Sequence, residues 1–169
     1  MLHFVYVQPL WNLTIFGVAL LVGWTFFCVK FDKAKKLYSR IAFVLSVLLV
    51  FYMTLFGREA TVHFVELRPF YTFVLAQNQV EYYRSFFMNG LLFVPFGLSL
   101  PYVLRQDSFK RKLLITLGVA AALSVGVEIL QYLYHLGRCE IDDLIANTLG
   151  TAIGSLSYLC YLYFKKQKQ

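Results

Sequence analysis

Acidic residues are scarce in this chain, nine Asp and Glu against sixteen Lys and Arg, and the four prolines and three cysteines are scarcer still. Each shortage excludes something. Cys28, Cys139 and Cys160 cannot form the disulfide framework that staples small secreted domains, and no Cys/His spacing suits a structural zinc. No phosphate-cradling glycine loop and no serine–histidine–acid pattern is present. His3 and His63 have no ligand-like spacing, and His135 reads as an amphipathic interfacial residue. Apolar sequence fills the chain instead: 59% is hydrophobic and mean hydropathy is +0.63. A soluble domain carries roughly 45–50% apolar residues.

An apolar run needs about 20 residues to span a bilayer. Five runs qualify as candidates: Leu10–Val29, Tyr38–Phe56, Phe86–Leu104, Leu113–Leu136 and Leu144–Phe164. The expected fold is all-α, a polytopic membrane helical bundle in one domain over residues 1–169, with an outer loop at 57–85. The first run has no basic flank and a long core, and Lys30 follows it, so it reads as a retained span rather than a cleavable signal.

Net charge is +7. Its distribution argues for topology rather than for nucleic acid. Lys30, Lys33, Lys35, Lys36 and Arg40 follow the first run, Arg105, Lys110, Arg111 and Lys112 follow the third, and Lys165, Lys166 and Lys168 end the chain. If the runs alternate, these all lie on one side and Arg58, Arg68, Arg84 and Arg138 on the other. Lys and Arg favour the cytoplasmic side, so the N-terminus is expected outside and the C-terminus in the cytoplasm. No nucleic-acid or soluble protein partner is expected. The outer loop is rich in aromatic and apolar residues, and is expected to lie in the interface or fold back over the bundle, or else to form an aromatic belt.

The polar residues that remain are concentrated. Glu128, Gln131, Arg138, Glu140, Asp142, Asp143 and Asn147 fall within 20 positions, inside or beside the last two runs. Glu128 lies about 12 Å below the end of its run at ~1.5 Å per residue. An ionisable group at that depth is costly, so a functional site is the default reading. Glu128, Gln131 and His135 share one helical face, as do Asp143, Asn147, Gly150 and Gly154. Gly118, Ala122 and Gly126 form a second small-residue ridge suited to close helix contact. The last two spans are therefore expected to pack face to face as a hairpin. With Asn89 from the third span and Arg68 from the outer loop, they would line a polar cavity open to the outside. Pro95 is expected to kink the third span, freeing carbonyls that neighbours must satisfy.

Three chemistries fit such a cavity. Carboxylate and amide oxygens suit a hard divalent cation such as Mg²⁺ or Ca²⁺. A buried Glu128 could instead serve as acid or base, with Asp143 beside it. The third is a structural network, for example Arg138 with Asp142 or Asp143, in which one acid caps the last helix.

Asn89-Gly-Leu-Leu-Phe-Val-Pro95-Phe-Gly97, Glu128-Ile-Leu-Gln131, Glu140-Ile-Asp142-Asp143 and Asn147-Thr-Leu-Gly150, in that order, resemble the VanZ-like family of bacterial membrane proteins. Arg68-Pro69-Phe70 resembles the Pro-Phe segment of that family's outer loop. Position 140 is glutamate where the family carries aspartate. The resemblance covers the C-terminal half and that tripeptide. It implies a multi-pass protein of the bacterial cytoplasmic membrane, lowering susceptibility to teicoplanin, an acyl-bearing glycopeptide. A membrane lipid or the lipoglycopeptide would be bound by Arg68, Asn89, Gln131, Arg138, Asp142 and Asn147. An enzyme acting on a lipid-linked envelope substrate through Glu128 and Asp143 is the alternative, and a small transporter a third.

Overall fold

A computed structural model describes residues 10–56, 64–77, 79, 81–105 and 108–167. The flank Met1–Pro9, with His3, and the positions Arg58, His63 and Lys168 lie outside the described residues. In chain order the elements are α1 (Leu10–Lys30), α2 (Lys35–Leu55), β1 (Val65–Glu66), α3 (Tyr71–Leu75), α4 (Glu81–Val103), α5 (Phe109–Leu133), β2 (Cys139–Glu140) and α6 (Ile141–Gln167). The fold is an all-α bundle with a two-stranded parallel ribbon at one end, pairing Val65 with Cys139 and Glu66 with Glu140.

Each of the five apolar runs becomes a helix. Three of them, α2, α4 and α5, are long and apolar enough to cross a membrane by length and composition. The described apolar stretch of α1 is shorter, Thr14–Lys30. Helix α6 has 27 residues but buries Asp142, Asn147, Thr151, Ser155 and Ser157, which dilutes its hydropathy. The outward faces are apolar almost throughout: Val18, Phe26, Leu45, Leu48, Leu114 and Leu133 are all more than half exposed. A soluble protein rarely presents such a continuous apolar surface.

The centre of the bundle is the contact between α4 and α6, and glycine makes it. A Cβ on Gly150 would lie 1.8 Å from the Gly90 carbonyl oxygen, and one on Gly97 would lie 2.1 Å from that of Thr151. One on Gly154 would lie 2.3 Å from the Val94 oxygen. Gly150 and Gly154 therefore serve the α4 interface and not the expected hairpin with α5. The ridge Gly118/Ala122/Gly126 is also reassigned: added Cβ atoms at Gly118 and Gly126 meet nothing within 4 Å, so the ridge faces away from the other helices. Helices α5 and α6 do touch, but through the polar residues described below.

Both prolines of α4 lie inside the helix. Pro101 cannot donate to the carbonyl of Gly97, four residues back. The Ser155 hydroxyl lies 3.5 Å from that oxygen. Ser99 Oγ donates to the Pro95 carbonyl at 2.8 Å. The end of α4 is capped from the next helix: buried Lys112 donates Nζ hydrogen bonds to the carbonyls of Pro101 and Leu104, both at 2.7 Å. A cation suits a helix C-terminus, where carbonyls are orphaned and the dipole is negative. At the same end Asp32 accepts from Lys35 Nζ at 2.7 Å and from the Tyr161 hydroxyl, tying the α1–α2 turn to α6. The lysine's hydrogen bond holds the Asp32 carboxyl below its ordinary range.

Candidate functional site

The opposite end carries the polar constellation, and the described segment 64–77 of the outer loop folds back to cover it. Asp142, in the first turn of α6 and 2% exposed, accepts the Phe70 amide at Oδ1 (2.5 Å) and the Thr72 amide at Oδ2 (2.8 Å). Both donors belong to the start of α3, whose free N–H groups and positive dipole end favour a carboxylate. Phe70 stands at φ 63°, a left-handed conformation uncommon for a bulky residue, and the Asp142 clamp helps hold it there. Phe73 then packs on Tyr83 (5.5 Å between centroids) and Phe86 (4.9 Å) of α4. The segment from β1 to α3 is thus a flap, fastened at the ribbon, at Asp142 and at Phe73.

Arg68 belongs to the flap and not to the interior. Its guanidinium makes a two-pronged contact with Glu66, Nε to Oε1 at 2.8 Å and NH2 to Oε2 at 2.6 Å, and lies 3.7 Å over the Tyr71 ring. That hydrogen-bonded pair pulls the Glu66 carboxyl down to about 2. Arg138 pairs with Glu140 at 2.9 Å rather than with Asp142 or Asp143, and faces Tyr82. Burial, with Asp142 and Glu66 adding to it against the pull of Arg138, holds the Glu140 carboxyl above its usual range. The Cys139 thiol is likewise raised, first by burial and then by the negative charge of Glu128, Asp143 and Glu140 around it.

Beneath the ribbon, Glu128, Gln131 and Asn147 are 6%, 1% and 4% exposed. Glu128 Oε2 accepts the backbone amide of Glu140 at 3.1 Å, so the buried carboxylate holds the ribbon from below. Gln131 Nε2 donates to the Thr54 carbonyl of α2 at 3.0 Å, and Asn147 Nδ2 donates to Ser124 Oγ of α5 at 2.8 Å. The oxygens of both amides, Gln131 Oε1 and Asn147 Oδ1, are buried without a hydrogen-bond partner. A buried polar atom left unpaired costs about 1–3 kcal/mol, and is the kind of feature a ligand-binding site retains. Ser124, Glu128 and Gln131 stand at i, i+4 and i+7 on α5, so the polar groups form a seam along α5 facing α6 and the end of α2.

The seam brings together Glu128, Gln131 and Asn147, with Asp142, Asp143, Glu140 and Arg138 at its upper end. Asn89 is half-buried on α4, one residue from Gly90, and so stands at the height of Ala146. Among the described residues, no three His, Cys, Asp or Glu side chains gather as ligands for a metal ion. Ser124 and Thr54 complete the seam and were not singled out in the sequence. The i−4 spacing of Ser124 from Glu128 is the signal that could have found it. A large recess lies elsewhere, an apolar groove of about 580 Å³ between α1, α4 and α6.

Comparison with known proteins bears on this arrangement. No solved structure matches the chain. Protein VanZ of Enterococcus faecium is 33% identical over 76 residues, a stretch covering 45% of this chain and 45% of that protein. The chain thus aligns with less than half the length of that curated relative. The VanZ/LLP1 family model matches residues 41–164, which takes in most of α2, the flap and every residue of the seam. With most of its length matched, this chain belongs to the VanZ/LLP1 family.

Proposed function

We propose that the protein works in the bacterial cytoplasmic membrane, lowering susceptibility to lipid-bearing glycopeptides such as teicoplanin. It does so by binding the drug, or an envelope lipid the drug competes for, at the seam under the flap. The flap end faces outward, because the opposite end collects most of the basic residues. The observation that carries the reading is the pair of buried amide oxygens without donors, Gln131 Oε1 and Asn147 Oδ1, beside the buried carboxylate Glu128. Such acceptors suit a ligand rich in hydroxyl or amide donors. The flap must swing clear for a headgroup to reach them, and its fastenings are few and local. Arg68 and Arg138, on the flap and ribbon, would meet an anionic headgroup first, and Asn89 and Asp142 border its path.

The test is direct binding of teicoplanin and vancomycin to the full chain in nanodiscs, with Asn147→Ala as comparison. Teicoplanin binding weakened at least about tenfold by loss of one charged or desolvated contact is the expected result. Equal binding by wild type and variant contradicts the assignment. A second reading, an enzyme acting on a lipid-linked substrate through Glu128 and Asp143, draws on Glu128 lying against the ribbon at Glu140 and on the negative charge that both acids place around the Cys139 thiol. Turnover of envelope lipids that ceases in Glu128→Gln would favour it, and absence of product at high protein concentration would remove it.

A further inference from the structure

We propose that the apolar groove between α1, α4 and α6 seats the alkyl chain of a phosphate-headed lipid, with Arg84 at its mouth holding the phosphate. This rests on the reading above only in that the helices cross a bilayer with the flap end outward. The groove measures about 580 Å³, inside the roughly 300–1,000 Å³ of small-molecule sites. Its floor is the glycine contact of Gly90 and Gly150, where missing side chains leave depth, and among the described residues Thr14 supplies the only polar side chain of its lining. Val18 (61% exposed), Phe87 (45%) and Leu149 (50%) form its rim, so it opens sideways toward hydrocarbon. A recess of this lining cannot satisfy water, whereas a chain laid in it removes apolar surface at both partners.

Charge fixes what the chain is attached to. Arg84 does not itself line the groove, but it precedes Phe87 by three residues and Leu91 by seven on α4, which puts it at the edge of the face that does. Its Nε is buried and has no hydrogen-bond partner. At this end Arg68 has Glu66 and Arg138 has Glu140, but no carboxylate among the described residues lies within ion-pair distance of Arg84. A guanidinium in that state, at the upper edge of an apolar slot, matches a phosphate, which it can bind with two parallel hydrogen bonds. The ligand class is therefore an anionic amphiphile, its chain below and its phosphate at Arg84.

The experiment is photo-crosslinking of the full chain in nanodiscs with phosphatidylglycerol carrying a diazirine in one acyl chain. Diacylglycerol bearing the same labelled chain is the phosphate-free comparator. Attachment is mapped by mass spectrometry on Val18, Phe87 and Leu149, against Leu45 and Leu48 of α2, which are at least about half exposed but do not line this groove. The expected result is rim labelling several-fold above α2, with phosphatidylglycerol ahead of diacylglycerol by about tenfold, the worth of one charge-assisted contact. Arg84→Gln should erase that preference and Arg84→Lys keep part of it. Gly17→Leu should erase rim labelling by both lipids, because a Cβ there meets only the flexible tip of Leu91 at 3.4 Å and the longer side chain enters the groove. If Gly17→Leu does not elute as a folded species, Val18→Trp fills the groove from its rim. Labelling spread evenly over α2 and the rim, or indifferent to both groove and Arg84 variants, overturns the proposal. So does full competition by inorganic phosphate alone, which would mean a headgroup site without a chain. Rim labelling in a protein that gives no protection from teicoplanin would sink the resistance reading and leave this one standing.

Discussion

Replacing Asp142 by asparagine keeps the shape and removes the clamp on the flap. The carboxylate accepts two backbone amides, those of Phe70 and Thr72, while buried. Asparagine offers one oxygen, and its amide nitrogen would be turned against a second N–H donor. Each hydrogen bond to a charged group contributes about 1.5–3 kcal/mol, so losing one of the pair and stripping the other of its charge removes about 3 kcal/mol from flap docking. At about 1.36 kcal/mol per factor of ten, flap opening becomes more frequent by about a hundredfold. The left-handed backbone at Phe70 adds to this, since its strain is no longer opposed by the clamp. Hydrogen exchange in nanodiscs is the assay. Amides at 65–77 should lose about a hundredfold of protection in Asp142→Asn, while those of α4 and α6 around Gly90 and Gly150 stay within a few-fold of wild type. Unchanged protection at Phe70 and Thr72 would refute the clamp. Equal loss throughout the bundle would show that Asp142 holds the whole fold and not the flap.

Gly150→Ala places a methyl 1.8 Å from the Gly90 carbonyl, backbone that cannot turn aside, so the α4–α6 contact must part. The expected outcome is loss of the folded species on size-exclusion chromatography, whereas Gly118→Ala should elute as wild type. Lys112→Met leaves the Pro101 and Leu104 carbonyls without their donor, and should lower thermal stability by about 2–4 kcal/mol in a melting experiment, more than Lys110→Met. Two carboxylates give the flap opposite acid responses. Glu66 is depressed to about 2, so its contribution is complete above its unfolded value of 4.5 and is lost as pH falls through 2. Glu140 is raised, so its neutral form favours the fold, and stability declines as pH climbs from 4.5 through its folded value. Hydrogen exchange of residues 65–77 against pH should accordingly show weakening at both limits, and Glu140→Gln should remove the loss on the alkaline side.

Hydropathy made the five long helices legible because each is a continuous apolar run, and helix ends moved by only a few residues. The seam was legible for a similar reason: Glu128, Gln131 and Asn147 stand out against apolar neighbours, and helical spacing puts the first two on one face. Partner choice was not. A glycine pair such as Gly150 and Gly154 announces that some backbone comes close, but the helix it admits, α4, is settled only by three-dimensional packing. For the same reason the Gly118–Gly126 ridge looked like an interface and turned out to face outward. Ribbon strands of two residues have no periodicity to read. One of the two acids at the start of the last helix is expected to cap it, yet the amides that Asp142 receives lie 72 and 70 positions earlier in the chain, beyond any local rule. Arg68 is expected at the cavity from the outer loop; its immediate partner is local, Glu66 two residues before it.

We propose that the seam of Glu128, Gln131 and Asn147, with the buried carboxylate at its centre, does the protein's work. Its most direct test is the teicoplanin and vancomycin susceptibility of a sensitive bacterial strain expressing wild type or Glu128→Gln at matched membrane levels. Wild type is expected to protect against teicoplanin, but not comparably against vancomycin, and the variant to lose that protection. Protection undiminished by Glu128→Gln would contradict it.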